Sequence, residues 1–222
     1  MMTTEAFWHQ LGSFNATTWP VQAIWLCITL FVTYLIFTKP SPGASLSMKI
    51  LLTFAFAWNG IAFFLVTCDG AVHTFFFAPL FLVVALLFAI DIFTQQTQFK
   101  WPDVGWKRYA TLLWLLAWLG YPLVGMALGR NFPELCLPMN PCPLTVFAIA
   151  WMAAAIPQID LKAYLMLLPW GLLGLPKCLG AYQCYEDCLL FAAGVYGAVM
   201  ISIHWKKKRK IYKTQKGDSH DK

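Results

Sequence analysis

Seven cysteines hold most of the reactive chemistry of this 222-residue chain. A thiol can form a disulfide, exchange with one, bind a soft metal or attack an electrophile, and its compartment and thiolate fraction decide which. Cys136 and Cys142 bracket a proline-rich stretch, and Cys178 and Cys184 repeat that spacing. Cys188 follows four residues on, Cys68 precedes Asp69, and Cys27 lies inside an apolar run. Such spacings suit disulfides in an oxidising compartment, or a thiol enzyme, although no CxxC occurs. Spacing does not choose among the fifteen complete pairings that six cysteines allow. Cys136, Met139 and Cys142 are soft donors of the type copper(I) accepts, but no His accompanies them, so neither a metal nor a cofactor is expected.

Polar side chains elsewhere in apolar runs are few, and each is costly enough to suggest a function. Asn59, and Tyr121 between Gly120 and Pro122, are candidates with Cys142 for the lining of a cavity. Asp69 and His73 stand four apart, where a carboxylate can orient an imidazole, and read as an interfacial polar pair. Asp91 lies near the end of an apolar run, close enough to the interface to be hydrated. His9, His204 and His220 are too scattered for a haem held by two histidines.

Positioning these residues requires an apolar scaffold. Hydrophobic residues make up 59% of the chain and charged residues 12%, against roughly 25% charged in soluble domains. A soluble protein of this size lacks the interior to hide so much apolar side chain, whereas lipid rewards it. The +6 net charge does not imply a nucleic-acid partner. Eight of the sixteen Lys and Arg follow Ile203 and the others are scattered between apolar runs, which is a topology pattern. No basic segment precedes the first apolar run, so that run reads as a permanent span and not a cleaved signal.

Crossing a hydrocarbon core takes about 20 apolar residues. Seven stretches approach that length: 19–38, 49–67, 75–94, 108–128, 143–157, 161–175 and 187–205, the fifth being short. Lipid leaves no backbone amide unpaired, so the expected fold class is an all-α integral membrane protein, a bundle of about seven transmembrane helices. Residues 1–205 form one domain, and 206–222 form a basic tail expected to be disordered and near anionic headgroups. With the amino terminus outside, Lys39, Lys49, Lys100, Lys107, Arg108, Lys162 and the tail fall in the cytoplasm, and only Arg130 and Lys177 fall outside. A re-entrant fifth segment would leave a weaker positive-inside bias. Cys68, Cys136, Cys142, Cys178, Cys184 and Cys188 then share the outer, oxidising side. Gly125 with Gly129, the alanines of 148–155, and Gly171, Gly174, Gly194 and Gly197 are expected to let helices approach closely.

Several residues carry a resemblance. Phe14-Asn15 with Trp19-Pro20, Trp58-Asn59, Phe76, Gly120-Tyr121-Pro122 with Gly125, and above all Pro141-Cys142-Pro143-Leu144-Thr145 resemble a family of bacterial multi-pass membrane proteins, the domain of unknown function 6064. The resemblance implies a bacterial inner membrane and no activity or catalytic residue. Cys178, Cys184 and Cys188 depart from its pattern. The expected function is therefore non-enzymatic: transport or sensing of a small solute through a cavity between spans two, four and five. The alternatives are a membrane thiol–disulfide oxidoreductase using the outer cysteines and a structural or assembly subunit of a membrane complex.

Overall fold

A computed structural model describes residues 3–68, 70–103, 105–181 and 183–217, with side chains as far as residue 206 apart from that of residue 181. Asp69, half of the expected pair with His73, lies outside the described residues. Every regular element described is helical. Six helices are long and apolar enough to cross a membrane: α1 Thr4–Thr38, α2 Pro42–Thr67, α3 His73–Thr94, α4 Gly105–Ala127, α6 Leu161–Gly180 and the first part of α7 Asp187–Gly217. Helix α5, Pro141–Ala155, is shorter. Large apolar side chains project outward from the six, among them Phe93, Tyr109, Phe75 and Leu123.

Local chemistry sets the helix starts. Thr3 accepts the Ala6 amide at 3.2 Å and Ser41 the Ala44 amide at 3.1 Å, with Pro42 in the first turn where its missing N–H costs nothing. Asp160 caps α6 by accepting from Lys162 at 2.8 Å. Helix α1 starts well before residue 19, because Trp8, Leu11 and Phe14 form a buried stripe at helical spacing. At the other terminus α7 is helical through the basic segment to Gly217. Lys, Arg and Gln are good helix formers, and extending an existing helix is easier than nucleating one.

Consecutive helices alternate in direction. The α2–α3, α4–α5 and α6–α7 connections gather at the end bearing the amino terminus, and the others at the opposite end. Every residue of α5 is buried, enclosed by α2, α4, α6 and α7. At about 1.5 Å per residue α5 is only about 22 Å long. A helix that touches no lipid need not match the hydrocarbon thickness, because protein covers the backbone beyond its ends. Helices α6 and α7 meet at glycine: a Cβ on Gly194 would stand 2.7 Å from the Gly171 carbonyl carbon.

The opposite end is locked by buried polar groups. Lys49 and Asp91 are both fully buried, with Nζ 3.4 Å from Oδ2, and Nζ also donates to the Asp91 carbonyl and the Gln95 side chain, each at 3.0 Å. Asp91 accepts the amides of Gln96 at 2.7 Å and Thr97 at 3.1 Å, where Gln95 turns the chain out of α3 at φ 52°. Asp91 is thus not hydrated as its place in the sequence implied. Lys49 and the chain turn after α3 supply the partners that water would have supplied.

Gly194→Val should destabilise the bundle by about 1–3 kcal/mol through backbone overpacking. Gly120→Ala, with nothing within 4 Å of its added methyl, should leave stability unchanged or slightly raised. Thermal unfolding in detergent followed by circular dichroism checks both.

Candidate functional site

The amino-terminal end holds a buried cluster of charge and sulfur. Asp187, in the first turn of α7, sits where the helix dipole favours an anion. Its Oδ2 is 3.1 Å from Lys177 Nζ, and its Oδ1 accepts the Tyr121 hydroxyl at 2.9 Å. The Cys142 thiol donates to the same carboxylate at 3.4 Å, and Lys177 donates to the Cys142 sulfur at 3.2 Å. The ammonium also stands 3.9 Å from the centroid of the Trp170 ring. Four elements thus converge on one carboxylate: α4 through Tyr121, α5 through Cys142, α6 through Lys177 and α7 itself. Gly174 permits this, since a Cβ there would lie 2.6 Å from the Asp187 carbonyl oxygen.

A second pair adjoins it. Arg130 donates to both oxygens of the buried Glu186, at 2.8 and 3.0 Å, and to the Gln183 carbonyl at 3.0 Å. Its guanidinium lies 3.3 Å from the Trp8 ring centroid. Gly125 makes room for Glu186, as an added Cβ would stand 3.0 Å from Oε1.

The connection between α4 and α5, with Pro133 and Pro138, roofs this cluster, and side chains satisfy its carbonyls. Asn15 donates to Pro133 at 2.8 Å and Leu135 at 2.7 Å, Trp118 to Pro138 at 2.9 Å, and Asn59 to Met139 at 2.8 Å. A buried loop persists only when its backbone finds such partners.

Between roof and cluster lies a cavity of about 30 Å³, room for about one or two waters. Its apolar wall is Phe63, Phe64, Phe77 and Trp170, and its polar lining is His73, Cys136, Asn140, Cys142 and Lys177. His73 stacks on Phe64 and meets the edge of Phe77. The three π-helical segments among the described residues all reach this cavity: Asn59–Thr67 ends α2, His73–Phe77 begins α3, and Lys177–Ala181 ends α6. Turns of this type hold an extra residue in the helical ladder and occur disproportionately at functional sites.

The residues singled out from sequence divide here. Cys142 lines the cavity, Tyr121 lies one bond behind it through Asp187, and Asn59 holds the roof without lining the cavity. The lining comes from α2 and α5, as in the expected cavity, together with α1, α3, α6 and the roof, and Tyr121 of α4 stands behind it. Sequence reading missed Lys177, Asp187, Arg130 and Glu186. The cations were taken as topology markers, yet a signal was present. The outer side was assigned only two cations, and two adjacent acids, Glu186 and Asp187, precede an apolar run there.

The model of the family of unknown function DUF6064 matches residues 4–211. The chain belongs to that family. Searches of curated proteins and of solved structures found no match.

In this DUF6064 protein Cys178 and Cys188 form a disulfide, a pairing their spacing did not single out. Cys68, Cys136, Cys142 and Cys184 are buried and Cys27 is exposed on α1, all five outside the disulfide. Among the described residues no group of three or more His, Cys, Asp or Glu side chains is placed to hold a metal. The Cys184 thiol donates to Glu186 at 3.5 Å, and Cys136 belongs to the same buried cluster. Both thiols lie above the ordinary pKa. For Cys184 the bond with Cys136 raises it first and burial second. For Cys136 the bond with Cys184 favours the thiolate, and burial with nearby negative charge outweighs it.

Two outcomes follow. Asp187→Asn strands the Lys177 charge and should cost about 3–5 kcal/mol, more than the double change Lys177→Met with Asp187→Leu; a double-mutant cycle on chemical denaturation measures the difference. In the folded protein, alkylation of Cys136 and Cys184 should be slow at pH 7 and quicken toward pH 9, because a raised pKa leaves little thiolate until the pH climbs. Mass-resolved labelling kinetics reads the rates.

Proposed function

We propose that this DUF6064 protein is a seven-crossing protein of the bacterial inner membrane, amino terminus outside, that binds a small solute at its outer end. The meeting of all three described π-helical segments at one cavity, largely apolar with Cys142 and Lys177 in its wall, carries the reading. The closed cavity admits only a water or two, so a solute requires it to widen. A π turn can do that by passing its extra residue along the helix, which shifts the side chains it presents without unfolding it. The solute's polar group would exchange hydrogen bonds with Cys142 and Lys177, and its apolar part would rest on Phe64, Phe77 and Trp170. Whether binding leads to transport or to a sensory response depends on events beyond this site.

Complete burial of α5 supports the seventh crossing, because it explains the helix's shortness. The charge bias supports the orientation. Lys49 and Lys177 turn inward and pair, and the remaining cations divide thirteen to one in favour of the cytoplasm, Arg130 being the exception. A membrane thiol–disulfide oxidoreductase is the second reading, supported by a disulfide close in sequence to buried free thiols. Thiol burial and raised pKa weigh against it, since catalytic cysteines are partly exposed and acidic. An assembly subunit is a third reading, testable by co-purification with a fixed partner.

Two experiments test the proposal. In intact cells a membrane-impermeant maleimide should label Glu5→Cys at once and Lys216→Cys only after lysis; the reverse order would sink the topology. In detergent, thermal-shift screening with amino acids, small carboxylates and small thiols should find a compound that raises the Tm of the wild type but not of Cys142→Ala, which leaves the Lys177–Asp187 pair in place. If Cys142→Ala and Gly120→Ala respond like the wild type to every compound, solute binding at this cavity is refuted.

A further inference from the structure

We infer that the open groove between α1 and the α4–α5 connection is a second binding site: it takes an uncharged, lipid-soluble molecule with a hydroxylated ring, a hydroquinone carrying an alkyl tail. The inference is independent of solute binding at the cavity and of membrane orientation. The groove measures about 370 Å³. Trp19, Gln22 and Ala23 form its α1 side, and Phe132, Pro138 and Met139 form the other. Trp19 is 53% and Phe132 54% exposed, so a ligand reaches the groove without passing through the fold.

One buried acceptor in this wall lacks a partner. Gln22 is only 4% exposed, and among the described residues its Oε1 meets no hydrogen-bond donor. The surrounding network fixes that atom as the oxygen. Asn15 donates both amide protons, to the carbonyls of Pro133 and Leu135, so its Oδ1 only accepts. It accepts from Asn140 at 3.1 Å and from Gln22 Nε2 at 3.0 Å. The second Gln22 proton goes to the Thr18 hydroxyl at 3.0 Å, which itself donates to the Phe14 carbonyl. Turning the Gln22 amide over would set oxygen against oxygen at Asn15. A small movement about glutamine's soft terminal torsion offers Oε1 to a ligand in the groove. The carbonyls of the facing wall are already taken: Leu137 accepts from the Asn140 amide, Pro138 from Trp118 and Met139 from Asn59.

These features select the ligand's chemistry. An unsatisfied buried acceptor is costly, and a ligand hydroxyl removes the cost. The donor must be neutral, because no charged side chain lines the groove and an ammonium there would have no counter-charge. The body must be apolar to rest on Ala23, Leu26 and Met139. Trp19 and Phe132 stand one on each side, both half exposed, where a flat ring gains aromatic contact. A hydroquinone with an alkyl tail meets all of these conditions. Its quinone form has the same ring and tail but only acceptors, and would set a carbonyl oxygen against Oε1. The groove therefore discriminates the reduced form from the oxidised one.

The test uses the full chain in detergent under argon, with decylhydroquinone and decylbenzoquinone as probes and native mass spectrometry as the readout. The expected result is saturable binding of one decylhydroquinone per chain, with the quinone bound about tenfold more weakly, a factor of about one net hydrogen bond. Ala23→Phe, which fills the groove from an exposed helix position, should abolish binding. Gln22→Met should bind the two probes alike, and Leu113→Ala, at an exposed position on α4, should behave as the wild type. If Gln22→Met does not fold, the wild-type preference and Ala23→Phe decide. The proposal is overturned if the wild type binds both probes equally, if uptake of decylhydroquinone does not saturate, or if Ala23→Phe binds it undiminished.

Discussion

The amino-terminal end of the molecule depends on compensation of the Asp187 charge. A carboxylate this deeply buried is tolerated only when paired and hydrogen-bonded, since its desolvation cost is otherwise several kcal/mol. Lys177 supplies the counter-charge, and Tyr121 and Cys142 supply hydrogen bonds. Because those partners come from α4, α5 and α6, satisfying one anion draws four helices to a single point. Arg130 and Glu186 repeat the principle one residue away and bring the roof down onto the cluster.

Charge pairing at both ends gives the bundle two polar locks around an apolar middle. At the opposite end Lys49 and Asp91 join α2 to α3. Between the locks every residue of α5 is buried, and its alanines let four helices close around it. Packing alone does not specify one arrangement of apolar helices in an apolar solvent, because lipid contacts are nearly as good as helix contacts. Matched buried charges do discriminate, since any shift in register strands an ion.

The cavity follows from the same compensation. Three helices reach it through π turns, where the backbone departs from regular α geometry and presents side chains that an α-helix would turn away. The sulfur chemistry divides along that boundary. Cys142 belongs to the ionic cluster and the cavity, Cys136 lines the cavity from the roof, Cys184 donates to Glu186, and Cys178 and Cys188 are already joined. Cys178, Cys184 and Cys188, close in sequence, thus divide between a disulfide and a thiol bonded to a carboxylate.

The helices and their approximate order were legible from sequence, because hydropathy runs, N-caps such as Ser41 and Asp160, and prolines such as Pro42 act within a few residues of where they stand. The buried stripe of α1 before residue 19 was present but was overshadowed by the stronger run after it. Partner choice was not legible. Lys49, Arg130 and Lys177 resemble interfacial charges until the acids they meet, 42, 56 and 10 positions away, are known. Neither the disulfide pairing nor the π turns could be read from spacing, since both depend on local backbone geometry that residue spacing does not specify. Sequence by itself determined that this chain is built of apolar helices, because that follows from each segment's composition. Tertiary structure alone decided which charges turn inward, which cysteines pair and where a cavity opens, because those depend on which helix ends meet.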